Sequence, residues 1–258
     1  MKQLIKTAIA LAICSSFATP IFAADNANSM NAAQKAQIEE VIHQYLIQKP
    51  EVILEAMQVL QRKQYDEAQQ TVKQTQKSAS QFAQPLFHQA NDPVAGNPNG
   101  KVTVVEFFDY QCPHCVDMAP VISAVVKSNP DLRIVFKELP IRGPMSEFAS
   151  RAALAANKQG KYIEFNHAVL TANQPLTQDS IILIAKNVGL NVDQLKKDMS
   201  DKSIDKQLAD NQNLARQLKL FGTPAFFIGK TAAANATINY VPGQMNEKQL
   251  QDEINKAK

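Results

Sequence analysis

Residues 101–115 read KVTVVEFFDYQCPHC, and the parsing of this stretch decides the fold. Positions 101–108 form a β-branched and aromatic run, the pattern of a buried strand. Cys112-Pro113-His114-Cys115 follows, and over residues 116–127 the apolar side chains recur at helical spacing. Residues 132–137 (LRIVFK) read as a second strand. The stretch therefore predicts one βαβ unit with the two cysteines at the turn from strand into helix.

A C-x-x-C pair can be half of a zinc site, a haem attachment or a redox pair. A zinc site needs two further ligands, yet the only other cysteine is Cys14, and His43, His88 and His167 are scattered without ligand spacing. Haem attachment needs histidine directly after the second cysteine, where Val116 stands. The redox reading remains, and neither a metal nor a cofactor is expected. Cys112 would cap the helix that starts at Pro113, so its sulfur would face unpaired backbone N–H groups and the positive end of the helix dipole. His114 can add a donor or a positive charge. Such surroundings lower a thiol pKa from about 8.5 towards roughly 3.5–7.5, and a stabilised thiolate makes the disulfide a stronger oxidant. Cys115, one turn into the helix, should be shielded and act as the resolving thiol.

Beyond the βαβ unit, residues 146–220 read as helix throughout. Ser146 and Thr177 are expected N-caps, and Gly160 and Gly189 stand where helices should stop. Strand patterns return at 225–228 and 237–241, and a short helix starts at Asn246. The order is βαβ, a helical block, then ββα, which is an α/β fold with a helical insertion at about 141–220.

The N-terminal part differs in composition. All eight glycines lie at or after Gly96, whereas residues 24–90 hold fourteen glutamines and no glycine. A boundary is expected near 85–100, where Pro85, Pro93, Gly96, Pro98 and Gly100 crowd together. Ile38, Val41, Ile42, Tyr45 and Leu46 form one apolar helical face. Pro50 should open a second helix, whose face continues through Ile53, Met57 and Leu60. Tyr65, Ala68, Val72, Thr75, Ala79 and Phe82 then follow heptad spacing. This segment has too little apolar surface to fold alone. It needs the catalytic domain or a second copy of itself as partner, unless it is a solvated spacer. Residues 1–23 read as a secretory signal: Lys2 and Lys6, a short apolar core over 8–14, then small residues up to Ala24. Ile13 before Cys14 does not fit a lipidation signal. Removal of the leader takes Cys14 with it, so Cys112 and Cys115 become the only cysteines, and a single close pair in an exported protein points to chemistry.

The 258 residues are 45% hydrophobic and 20% charged, with a formal net charge of +3. That excludes a disordered chain, lacks the basic stripe of a nucleic-acid binder, and leaves no apolar run near the length of a membrane span.

VVEFFDYQCPHC resembles the active-site region of the DsbA family of exported thiol-disulfide oxidoreductases. That resemblance implies a thioredoxin fold with an inserted helical subdomain, over residues 91–258. Phe221-Gly222-Thr223-Pro224-Ala225 is similar to the family's loop before the third strand, which places Thr223 and a cis Pro224 beside the disulfide to hold extended substrate. Glu106 matches a buried acid of thioredoxin-fold proteins that handles the proton of Cys115; the alternative is a strand glutamate facing solvent. The helical preface at 24–90 resembles the extension of the Com1-like branch, and threonine before the cis-proline is similar to dimeric disulfide isomerases. The resemblance thus implies a periplasmic homodimer, joined through residues 24–90. It would act on reduced or misoxidised exported proteins and be recharged by an inner-membrane partner, either a DsbB-like oxidase or a DsbD-like reductase. The Pro113-His114 dipeptide argues for an oxidase that introduces, and can isomerise, disulfides through Cys112 and Cys115. A reductase or isomerase kept reduced by a membrane donor, and a non-catalytic envelope binding protein with a static disulfide, are the alternatives.

Overall fold

The computed structural model describes residues 30–232 and 237–258, so the expected signal segment at 1–23, with Cys14, lies outside the described residues. The chain divides into two compact units, one ending at Gln61 and the other spanning Arg62–Lys258. Among the described residues no helix is long and apolar enough to cross a membrane.

In the first unit, α1 (Ala32–Gln48) starts at Asn31, whose side chain accepts from the Gln34 N–H while Gln34 returns the bond. This reciprocal cap satisfies two of the donors that a helix start leaves free. Pro50 stands immediately before α2 (Glu51–Ser78). The apolar face read from the sequence is present and uncovered: Ile38, Val41, Ile42, Tyr45, Ile53, Met57 and Leu60 are all exposed.

The second unit includes the last turns of α2. A 3-10 turn at Ala79–Phe82 and α3 (Ala83–Phe87) lead to β1 (Val94–Gly96). β2 (Val102–Phe108), α4 (Pro113–Ser128) and β3 (Leu132–Glu138) make the expected βαβ unit, with β2 and β3 parallel. The helical insertion follows as α5 (Pro144–Lys158), α6 (Tyr162–Leu170), α7 (Gln178–Asn187), α8 (Val192–Asp198) and α9 (Lys202–Gln217). β4 (Ala225–Lys230), β5 (Asn239–Pro242) and α10 (Glu247–Lys256) close the unit. The sheet order is β1-β3-β2-β4-β5, antiparallel except between β2 and β3. This is the thioredoxin-like arrangement with an inserted helical subdomain that the sequence predicts.

β2 lies in the middle of the sheet and is buried along its whole length, which is why it reads as a continuous apolar run. Its residues alternate between two cores. Val102, Val104 and Phe108 join the larger one with α4, α5, α6 and α10, whereas Val105 and Phe107 join a second with Leu86, Phe87, Leu214 and Phe227. Period-two alternation therefore sends Glu106 to the α4 side.

The heptad seam finds its partner in part within this unit. Thr75 and Ala79 are buried, and Val72 and Phe82 pack against the second core. The Gln76 side chain donates to the Ile238 carbonyl at 2.8 Å and accepts from the Tyr240 N–H at 2.7 Å, so the end of α2 covers the edge strand β5. A buried ion pair of Lys137 with Asp92 and a 2.7 Å bond from Lys137 Nζ to the Pro85 carbonyl fix the following segment to β3.

Three local expectations need correction or addition. Ser146 does not cap its helix. Gly143 stands at the N-cap with Pro144 in the first turn, and the Ser146 hydroxyl donates to Asp109 Oδ1 at 2.7 Å. The 146–220 block is interrupted between α6 and α7. β1 is an additional strand, three residues long and paired antiparallel with β3. Thr177 does cap α7, and Gly160 and Gly189 end helices at φ +70° and +77°, where a Cβ would be strained.

Candidate active site

The turn between β2 and α4 is shaped by Asp109. Its carboxylate accepts the N–H groups of Gln111 (2.7 Å), Ile141 (2.8 Å) and Arg142 (3.0 Å) together with the Ser146 hydroxyl. This clasp ties the cysteine turn to the chain leaving β3. Cys112 then takes the N-cap of α4 with extended backbone, and Pro113 supplies a first helical position that needs no N–H partner.

Cys112 has no solvent exposure, and its thiol donates to the Thr223 carbonyl at 3.2 Å. Thr223 and Pro224 are joined by a cis peptide bond immediately before β4, next to the cysteine turn as expected. Thr223 Oγ1 is buried and unpartnered while Cys112 is a thiol, which leaves its hydroxyl free to donate to the thiolate. Burial alone would raise the Cys112 thiol. Donation to the thiolate from the Thr223 side chain, then from the Cys115 N–H and thiol and the His114 N–H, outweighs it and brings the pKa below its ordinary value. The helix start therefore acts through backbone N–H groups. The His114 ring does not contribute in the way the sequence suggests: it is exposed, and its Nδ1 meets Gln244 Oε1 at 2.5 Å.

Cys115 meets the opposite environment. It is buried, and its pKa is pushed far above the thiol range by burial and then by the negative charge of Glu106. Glu106 is 3% exposed, which removes the solvent-facing alternative. Its carboxyl is pushed up to about 8 by burial first, then by the charges of Glu138 and Cys112. A cavity of about 210 Å³ is lined by Glu106, Cys115, Ile122, Phe136, Asn166 and His167. That volume has room for several waters beside the two titratable groups.

Glu138 was not singled out by the sequence reading. It is fully buried at the end of β3 and accepts hydroxyls from Tyr162 (2.7 Å), Ser150 (2.7 Å) and Tyr110 (3.1 Å). Burial pushes it up to about 8 against those three bonds. The signal in the sequence is the acid that ends LRIVFKE, one residue past the run whose pattern reads as strand. Among the described residues no cluster of side chains could hold a metal ion. The arrangement offers one sulfur favoured as thiolate, a second held as thiol three residues later, and a buried acid able to exchange a proton near physiological pH.

Residues 103–255 match the family model of the DSBA-like thioredoxin domain, and residues 34–67 match that of the Copper resistance protein ScsC N-terminal domain. A thioredoxin-like oxidoreductase from Silicibacter pomeroyi is 40% identical, with a TM-score of 0.62 over 67% of this chain and 96% of that one. ScsC from Proteus mirabilis in a transitional conformation is 28% identical, with a TM-score of 0.61 over 89% of this chain and 97% of that one. Among curated proteins, the Na(+)/H(+) antiporter NhaA 3 of Salinispora tropica is 28% identical over 53% of this chain. The match spans 21% of that protein, so this chain covers about a fifth of its length.

Proposed function

This chain belongs to the DSBA-like thioredoxin-domain family of thiol-disulfide oxidoreductases, and on that premise we propose that it forms, and can rearrange, disulfides in exported proteins through Cys112 and Cys115. The observation that carries the reading is the opposed chemistry of two neighbouring sulfurs, Cys112 lowered and Cys115 raised.

In the oxidising direction a substrate thiolate attacks Cys112 Sγ of the disulfide. A mixed disulfide forms, and Cys115 leaves and takes up a proton. Glu106, which burial pushes up to about 8 and which lines the same cavity as Cys115, is the acid placed to supply it. The second substrate thiolate then attacks the substrate sulfur of the mixed disulfide and expels Cys112 as a thiolate. Two electrons pass from substrate to protein, and the substrate gains one disulfide. A thiolate of lowered pKa is the better leaving group, so asymmetry favours release of oxidised substrate. Thr223 and Pro224 would hold the substrate backbone beside Cys112, and Pro113 would set the helix start.

The reading extends to the whole protein: a periplasmic enzyme, delivered by a signal segment at 1–23 and reoxidised or reduced by an inner-membrane partner. Uncovered apolar side chains on α1 and the start of α2 support a homodimer through the helical extension, which would favour isomerisation. Reactivation of a protein with scrambled disulfides tests this extension. The comparison is residues 24–258 against a chain starting at Arg62, where the second compact unit begins. Reactivation by the longer protein alone supports the isomerase reading; oxidation without reactivation by both reduces it to an oxidase.

A further inference from the structure

His114 lies between the two cysteines, yet its ring is turned to a residue far along the chain. Nδ1 meets Gln244 Oε1 at 2.5 Å. A carboxamide oxygen only accepts, so this contact places the proton on Nδ1. Gln244 sits in the loop between β5 and α10, and the backbone is held on both sides of it. The Gly243 N–H donates to the Pro224 carbonyl at 2.9 Å, and the Met245 N–H donates to Met118 Sδ of α4 at 3.3 Å. One neighbour is thus tied to the cis-proline loop and the other to the helix that carries both cysteines.

We propose that Gln244 is a positioning residue that holds the His114 ring away from Cys112 and so weakens the Cys112–Cys115 disulfide as an oxidant. The inference deepens the thiol-exchange function proposed above and rests on it. Released from Gln244, the ring shares the first turn of α4 with the Cys112 sulfur and can donate to the thiolate. Every gain in thiolate stability favours the reduced pair and strengthens the disulfide as an oxidant. The bond to Gln244 competes with that contact. Its attachment through Gly243 to Pro224 also couples the ring to the loop where a substrate backbone would dock.

The test equilibrates the full-length protein with reduced and oxidised glutathione, where two glutathione thiols reduce the pair and leave as one disulfide. It also follows Cys112 alkylation against pH. In Gln244→Ala the alkylation midpoint should fall by about half a pH unit, and the equilibrium should move about threefold towards reduced protein. Gln244→Glu keeps the acceptor and strengthens the hold on the ring N–H with a charged oxygen, so it should move both readouts the other way. In a His114→Ala background, Gln244→Ala should change neither. Unchanged readouts in Gln244→Ala, an equal change without His114, or both Gln244 variants moving together would overturn the proposal. A wild-type pair that never equilibrates with glutathione overturns the exchange reading along with it, whereas one that equilibrates leaves only the Gln244 role at stake.

Discussion

Cys112 and Cys115 share one helical turn and meet opposite surroundings, because the first has Thr223 and the N–H groups of a helix start as donors, whereas the second is buried and faces an acid. The consequence is readable in native, reduced protein. Both thiols are shielded at rest, so alkylation needs a local opening at the helix start. Cys112 should then react with a midpoint below the ordinary thiol value and Cys115 far more slowly, and mass mapping across a pH series checks both. Glu106 carries a second prediction. Its pKa is raised to about 8 in the folded protein, so the native state keeps a proton that the unfolded chain releases above its own, ordinary carboxyl pKa. Native stability therefore falls as pH rises through that window. Glu106→Gln removes the penalty. Its stability advantage over wild type should grow by roughly 2–4 kcal/mol between about pH 4 and pH 8, measured by denaturant unfolding. An advantage independent of pH would mean that Glu106 is not protonated by burial.

At the scale of elements, what could be read from the sequence follows from burial. β2 and β3 were legible because both faces of each are covered, so composition alone marks them. The helix after Cys112 was legible from Pro113 and the apolar spacing. The side taken by Glu106 was not, since alternation fixes it only once Val104 and Phe108 are known to face α4. β1 escaped notice because three residues ending in glycine carry no period. Ser146 reads as a cap by spacing, yet its bond runs to Asp109, a long-range partner that spacing does not reveal. Gln244 left no local signal at all. The junction of α3 with the sheet depends on Lys137, buried with Asp92 and bonded to the Pro85 carbonyl. Lys137→Met would leave Asp92 buried without its counter-charge and should cost roughly 3–5 kcal/mol in urea unfolding. Cys112 alkylation by the molecules that remain folded should be unaffected. A loss below about 1 kcal/mol would show that the pair contributes little.

For the molecule as a whole, the described N-terminal unit presents Ile38, Val41, Ile42, Tyr45, Met57 and Leu60 to solvent. Such an uncovered face, on helices with too little apolar surface to fold alone, is the expected surface for self-association. Light scattering of residues 24–258 at micromolar concentration should give an oligomeric mass, and the chain starting at Arg62 a monomer. A monomeric mass for both would remove self-association from the account. Oxidation of substrate thiols should not depend on that outcome, because the thiols, Glu106, Glu138 and the Thr223-Pro224 loop all belong to the second unit. The most direct measurement is a single turnover of oxidised protein with an equimolar, unfolded substrate that carries two reduced cysteines. The account predicts one substrate disulfide formed for each Cys112–Cys115 pair reduced, with no oxidation by Cys112→Ser. Substrate thiols left intact beside a persistent Cys112–Cys115 disulfide would contradict it and make the pair a static crosslink.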